Sequence, residues 1–113
     1  MVATYDDANL IVQLTRWGTE MHLDEAVQVL FSEGFEPSSA STDEAAVRKV
    51  LGFGEVVVTL VKLGVLNREL VLDLWWVAGL WARVEPAARR LRERLGQDRL
   101  YENFEALAAS GGG

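Results

Sequence analysis

The chain has 113 residues, half of them apolar and a quarter charged, which is typical of one globular helical domain with its own core. Its net charge of −6 argues against a nucleic-acid-binding protein, because that affinity rests on Lys and Arg neutralising phosphates. The absence of cysteine excludes disulfides, a thiolate nucleophile and a zinc site built from sulfur, and it fits the cytoplasmic location that we expect.

The two most apolar stretches are interrupted by Glu55, Lys62 and Asp73, so neither offers the roughly 20 apolar residues of a membrane span. The first ten residues lack the basic region and apolar run of a secretory signal. We expect a single helical domain over residues 1–109, followed by a flexible glycine-rich tail or expression scar over residues 110–113.

The first predicted helix carries apolar residues at four-, three- and four-residue spacing, which indicates one buried stripe: Leu10, Leu14, Trp17 and Met21. Asp6 and Asp7 can cap its start. The stripe continues over residues 23–31, so one long bent helix, or two helices broken near Gly18 to Asp24, would fit. We favour one long helix that ends at Gly34, because glycine accepts the left-handed conformation there.

The second predicted helix starts at a capping box, in which Ser41 accepts from the amide three residues on and Glu44 reaches back. It should begin near Thr42 and end at Gly64. The valine run at residues 56–58 suits a strand by propensity alone, but the capping box and the sustained helical period favour a helix.

The third predicted helix spans residues 68–85, with Asn67 as its cap. Pro86 should terminate or kink it, because proline removes an amide and clashes with the preceding turn.

A fourth helix should run from Pro86 to Gly96, and Asp98 should cap a fifth helix over residues 99–110. Because the later connections are short, consecutive helices should pack antiparallel. The predicted fold is therefore all-α, a single-domain and largely antiparallel bundle of four to five helices.

Three of the four tryptophans lie in "LWWVAGLW", within the third predicted helix. A helical wheel at about 100° per residue places Trp75 and Trp81 on two adjoining core faces, the main one formed by Leu70, Leu74, Val77, Trp81 and Val84. Trp76 falls on the opposite, charged side. It joins a candidate interface that consists of Leu72, Trp76, Gly79 and Arg83.

Aromatic and arginine side chains are enriched at protein contacts, so this patch favours a non-catalytic interaction module that forms a homodimer through the third and first helices. The alternative is a single exposed aromatic covered by arginine stems.

A second hypothesis is a binder of a small apolar ligand held between helices. Its pocket would be lined by Trp17, Phe53, Trp75 and Trp81, with Glu55 or Asp73 fixing the orientation of the ligand. The alternative is that these aromatic side chains only pack against one another.

No catalytic constellation is present in the sequence. The only histidine, His22, has no second copy of a metal-binding motif beside it, and "GFG" is not followed by the Lys and Ser or Thr of a phosphate loop. We therefore expect no catalytic residue, no metal and no cofactor. The arginines of "ARRLRER" could form a basic face, but a solvated, ion-paired surface is the expected arrangement.

Residues 53–107 resemble a bacterial helical family recorded as a domain of unknown function, number 4760. The resemblance is carried by "FGEVVVTLVKLGVLNRELVLDL", by Trp81 followed five residues later by Pro86, by "LRERLG" and by "YENFEALA". It implies a compact α-helical domain and no assigned activity. Some relatives carry a membrane-spanning segment before the domain. Because we expect no such segment here, the resemblance implies a free cytoplasmic version.

The resemblance marks four positions: Glu55, Trp81, Arg92 and Glu105. From the residues themselves, we expect Glu55 and Arg92 to form a buried ion pair that locks the second predicted helix to the fourth.

Overall fold

A computed structural model describes residues 2–110, which form six α-helices and no β-strand. The helices are α1 Tyr5–Glu20, α2 Leu23–Leu30, α3 Ala45–Lys62, α4 Arg68–Leu74, α5 Val77–Leu95 and α6 Glu102–Ala109. The all-α prediction is confirmed, although there are six helices instead of four to five. The largely antiparallel bundle stays a prediction. Of the predicted tail, only Ser110 lies within the described residues, where its carbonyl and hydroxyl accept hydrogen bonds from Arg68.

Helix α3 is the centre of the fold, because it packs against α2, α4, α5 and α6. The largest fully buried side chains come from five of the six helices: Leu30, Val47, Leu51, Val71, Val84 and Phe104. Burying each of them contributes about 1.5–3 kcal/mol. Within residues 2–110, no helix is both long and apolar enough to cross a membrane.

The start of α1 is capped by Thr4, one turn earlier than the Asp6 or Asp7 cap that we predicted. Asp7 is instead the acidic partner of a capping box, since its carboxylate accepts from the Thr4 amide at 2.8 Å. The same carboxylate accepts from the amide of Asn67 at 2.9 Å. Asp7 therefore ties the first turn of α1 to the start of α4, and these hydrogen bonds, chiefly that from Thr4, lower its pKa below the ordinary value.

The prediction of one long helix ending at Gly34 is wrong, because the chain breaks between α1 and α2. His22 adopts the left-handed conformation, with φ +59°, and directs the chain back on itself. Gly18 is not required for this break, since a Cβ atom there would lie 3.4 Å from Leu23 Cδ2, an ordinary van der Waals distance. Helix α2 then ends at Leu30, four residues before Gly34.

Helix α3 begins at Ala45, three residues later than predicted. Glu44 does reach back to the amide of Ser41, at 2.6 Å, but the Ser41 hydroxyl accepts from Asp43 and not from Glu44. The predicted capping box is therefore a tight turn before the helix. The predicted end is close to the observed one, since Gly64 adopts φ +75° just after α3.

The third predicted helix breaks at Trp75 and Trp76 and not at Pro86. Asn67 caps α4 as predicted, by accepting from the amide of Leu70 at 2.9 Å. Pro86 lies inside α5, which continues to Leu95. Proline costs a helix one hydrogen bond, but the packing of α5 against α3 and α6 holds the helix together through this position.

The last helix, α6, begins at Glu102, four residues after the predicted cap at Asp98. Tyr101 precedes it in the left-handed conformation, with φ +60°, which is rare for a bulky residue. The side chain of Tyr101 does not cap the helix. The amide of Phe104, in its first turn, donates instead to Glu55 of α3.

Candidate functional site

The candidate site is created by the break between α4 and α5. Trp75 is extended, with φ −129° and ψ 140°, so the two neighbouring indoles point in different directions. Trp75 packs edge-on against Phe53 of α3, with ring centroids 5.8 Å apart. Trp76 stacks on Phe31 at the end of α2, at 5.8 Å and an interplanar angle of 14°. The two indoles therefore contact different helices, and the chain is interrupted between α4 and α5, where the sequence predicts one continuous helix.

An apolar cleft with a volume of about 240 Å³ lies between α2, α3, α4 and α5. Its rim is formed by exposed side chains, among them Phe31, Leu74 and Trp76. Its floor is formed by buried core side chains, among them Val50, Val57, Val58, Val71 and Phe104. The cleft thus leads from the surface into the hydrophobic core, and its volume is a little below the usual range of ligand pockets, about 300–1,000 Å³.

The observed position of the Trp76 indole depends on Gly79 having no side chain. A Cβ atom at Gly79 would lie 2.2 Å from Trp76 Cδ2, closer than any real contact. Only glycine at this position lets the indole lie across the first turn of α5. Because Trp76 remains 61% exposed, its indole forms a side of the cleft and not a part of the core.

Asp24, in the first turn of α2, is the only ionisable residue that lines the cleft among residues 2–110. Its side chain is exposed, and within the described part of the chain it makes no hydrogen bond or ion pair. Sequence reasoning missed Asp24, because a charged residue at the start of a helix is typical of an ordinary solvent-exposed helix face. Only the fold shows that this face borders a cavity.

The residues predicted for a ligand pocket are only partly brought together. Phe53 and Trp75 line the cleft, while Trp17 packs behind them on Phe53, at 5.1 Å between ring centroids. Asp73 is exposed on α4 and lies outside the cleft. The other two predicted residues, Glu55 and Trp81, belong to a different cluster.

That second cluster lies where α3, α5 and α6 meet, and it corrects the predicted ion pair. Glu55 does not pair with Arg92: its Oε1 accepts from the amide of Phe104 at 2.9 Å. Arg92 forms an ion pair with Glu105 at 3.0 Å and donates from Nε to the carbonyl of Leu100 at 2.7 Å. The two side chains therefore hold the same helix, α6, from two neighbours.

The arrangement around this cluster is aromatic and structural. Trp81 is buried, as predicted, between the ring of Phe104 at 5.1 Å and the guanidinium of Arg92 at 5.8 Å. Burial, and secondarily the charge of Glu55, raise the pKa of Tyr101 above its ordinary value. Arg92 Nη2 is buried without a hydrogen-bond partner among residues 2–110. The hydrogen bonds and the ion pair of Glu55 and Arg92 fix α6 in place.

The predicted interface residues differ in their exposure. Of the four, only Trp76 is exposed; Gly79 lies buried beneath it and Leu72 packs against the core. Arg83 is occupied, since its Nε donates to the carbonyl of Leu30 at 2.7 Å and its guanidinium lies over the ring of Phe31. Arg83 therefore contacts the end of α2.

The helical wheel placed Leu74 wrongly, because it assumed one continuous helix through Trp75 and Trp76. Leu74 was expected in the core, but it is half exposed at the cleft rim, whereas Val77, Trp81 and Val84 are buried as predicted. Trp75 and Trp76 are not helical, so the residues of α5 do not continue the angular positions of those of α4. Two exposed arginines of α5 are engaged: Arg89 pairs with Glu85 and Glu105, and Arg90 donates to the carbonyls of Ser38 and Ala40.

Comparison with known proteins gives one match. The family model described as "Domain of unknown function (DUF4760)" matches residues 5–110 of the chain. The match extends the resemblance over residues 53–107 to the first two helices. No curated protein and no solved structure matches the chain. In the described part of the chain, no group of three or more His, Cys, Asp or Glu residues is arranged to hold a metal ion.

Proposed function

We propose that this chain, which belongs to the DUF4760 family, is a non-catalytic helical module that binds a small apolar ligand in the cleft between α2, α3, α4 and α5. The observation that carries the proposal is the lining of the cleft, which combines the exposed indole of Trp76 at the rim with buried core side chains such as Val71. A surface that only covers a core does not need such a cavity, since protein interiors are normally close-packed.

The chemistry of the lining supports the same function. Its residues are aliphatic or aromatic apart from Gly54 and Asp24, and ligand pockets are usually apolar with few polar groups. An apolar ligand that fills the cleft would remove from water both its own surface and that of the rim. This burial contributes about 25 cal/mol per Å² of apolar area.

Titration of the ¹⁵N-labelled chain with 1-octanol tests this function. We expect the amide signals of Phe31, Val57 and Val71 to move together and to saturate. Val27 lines the cleft and Val29 does not, although both lie on α2. Val27→Phe should therefore weaken octanol binding, while Val29→Phe leaves it unchanged. Uniform small shifts over the whole surface, equal in both variants, would count against the proposal.

Native mass spectrometry of the protein purified from its host cells is a second test. A retained molecule of defined mass that is lost in Val27→Phe and kept in Val29→Phe would identify the natural ligand. A protein that carries no added mass and does not bind octanol has no ligand site in the cleft.

A second candidate function is self-association through the cleft rim. It is favoured by the contiguous exposure of Trp76, Phe31 and Leu74, which are 61%, 43% and 50% exposed. A two-fold symmetric contact would place the rim of one copy against that of the other. Sedimentation of the wild type and of Trp76→Ser over a wide concentration range tests it. A mass equal to one chain at every concentration would reject the homodimer.

A further inference from the structure

The cleft carries a single charge, and its sign narrows the class of ligand. Asp24 lines the apolar cleft, has no hydrogen-bond or ion-pair partner within residues 2–110, and lies on the exposed side of the rim. No lysine, arginine or histidine lines the cleft among these residues. Among the residues that line the cleft, a charged group on a bound apolar molecule would therefore meet one carboxylate. The guanidinium of Arg83 lies near the rim, over the ring of Phe31, but it is held by the carbonyl of Leu30.

An anionic ligand, such as a fatty acid, is disfavoured by the same surroundings. The first turn of α2 would attract an anion, but it already carries Asp24 and Glu25. The first turn of α5 contains no acidic residue, yet the indole of Trp76 lies across it at Gly79. The net charge of −6 adds a long-range repulsion of anions.

The rim suits a cation for a second reason. Trp75 and Trp76 both line the cleft, and indole rings attract ammonium groups through their negative faces. We propose that the ligand of the cleft is an apolar amine, with its hydrocarbon part between α3 and α4 and its ammonium group beside Asp24. This inference rests on the proposed function, since it names the ligand class of that same site.

Three probes of equal chain length test the proposal: octylamine, 1-octanol and octanoate, each at a concentration at which it is dissolved as single molecules. Calorimetric titration at pH 7 and low ionic strength should give the tightest binding for octylamine and the weakest for octanoate. Because Asp24 is exposed, the preference of octylamine over octanol should be about twofold to fivefold. High salt should reduce this preference.

Asp24→Asn should remove most of the preference for octylamine over octanol, while octanol affinity stays as in the wild type. Glu25→Gln is the matched control, because Glu25 lies in the same turn and does not line the cleft. It should leave the preference unchanged. Equal binding of octylamine and octanol by the wild type, or tightest binding of octanoate, overturns the amine proposal and leaves the ligand-binding function intact. If none of the three probes binds, both proposals fail.

Discussion

The carboxylate of Glu55 accepts a 2.9 Å hydrogen bond from the backbone amide of Phe104, so a side chain of α3 caps the first turn of α6. Phe104 is the third residue of α6, and its amide is one of the groups that a helix start leaves without an internal partner. Tyr101, which immediately precedes the helix, provides no side-chain cap. The start of α6 therefore depends on tertiary structure.

Substitution of Glu55 tests this cap. Glu55→Ala should lower the free energy of unfolding by about 1–2 kcal/mol, the usual cost of losing a helix cap. Glu55→Gln keeps an oxygen acceptor and should cost less. Urea unfolding of both variants measures the difference. If Glu55→Gln cost about 3–5 kcal/mol, as the loss of a buried ion pair does, the cap would be the wrong explanation.

Arg92 and Arg89 form a matched pair on α5. Both contact Glu105, but the Arg92 side chain is 10% exposed and that of Arg89 is 57% exposed. Lysine cannot reproduce the two directions in which Arg92 donates, to Leu100 and to Glu105, so Arg92→Lys should cost about 1–3 kcal/mol. Arg89→Lys should cost less than about 1 kcal/mol. Equal losses in urea unfolding would show that burial of Arg92 does not matter.

Two glycines in α3 should respond oppositely to alanine. A Cβ atom at Gly54 would lie 2.2 Å from the buried ring of Phe104, whereas Gly52 has nothing within 4 Å. Gly54→Ala should destabilise the fold by about 1–3 kcal/mol through overpacking. Gly52→Ala should stabilise it by about 0.5–1 kcal/mol, because alanine favours the helix. Thermal unfolding in which both variants shift in the same direction would contradict this.

The sequence predicts the parts of the fold that depend on local signals. The ends of α3 and α5 follow from Gly64 and Gly96, both with positive φ, and the start of α4 follows from the side chain of Asn67. The starts and breaks that tertiary contacts decide are not predictable in this way. The cap of α6 by Glu55 joins residues 49 positions apart, and no local pattern marks it.

The candidate site was predicted only in part for the same reason. Phe53 and Trp75 were identified as aromatic residues near one another, and both line the cleft. A wheel drawn through Trp75 and Trp76 assumes one continuous helix, so it placed Leu74 in the core and separated it from Trp76. Asp24 could not be assigned, because most of its neighbours in the cleft come from other helices.

Asp7 should make stability depend on acid pH. Hydrogen bonds from Thr4, and then from Asn67, hold the pKa of Asp7 below its ordinary value of 3.8, while burial acts in the opposite direction. Because the folded pKa is lowered, the folded state binds fewer protons than the unfolded state. The stabilisation is therefore fully present at a pH well above 3.8 and is lost as the pH falls through the folded pKa.

Asp7→Asn should accordingly be less stable than the wild type at neutral pH, and the difference should narrow below about pH 4. Urea unfolding at a series of pH values measures it. Asp6→Asn is the control, because Asp6 is exposed in the same turn. Parallel stability curves for Asp7→Asn and the wild type at all pH values would show that Asp7 does not carry this dependence.

Gly79→Ala should move the indole of Trp76 without unfolding the protein. The added Cβ would lie 2.2 Å from Trp76 Cδ2, and the indole, which is 61% exposed, is free to turn away. Helix α5 meanwhile gains the better helix former, worth up to about 1 kcal/mol.

The indole ¹⁵N signal of Trp76 should therefore shift strongly in Gly79→Ala, while those of Trp17 and Trp81 stay in place. Gly52→Ala, where the added Cβ has nothing within 4 Å, should move none of them. Loss of the Phe31 stack would open one side of the cleft, so the affinity for 1-octanol should change in Gly79→Ala and not in Gly52→Ala. An unchanged Trp76 signal in a folded Gly79→Ala variant would mean that the indole does not lie across this turn of α5.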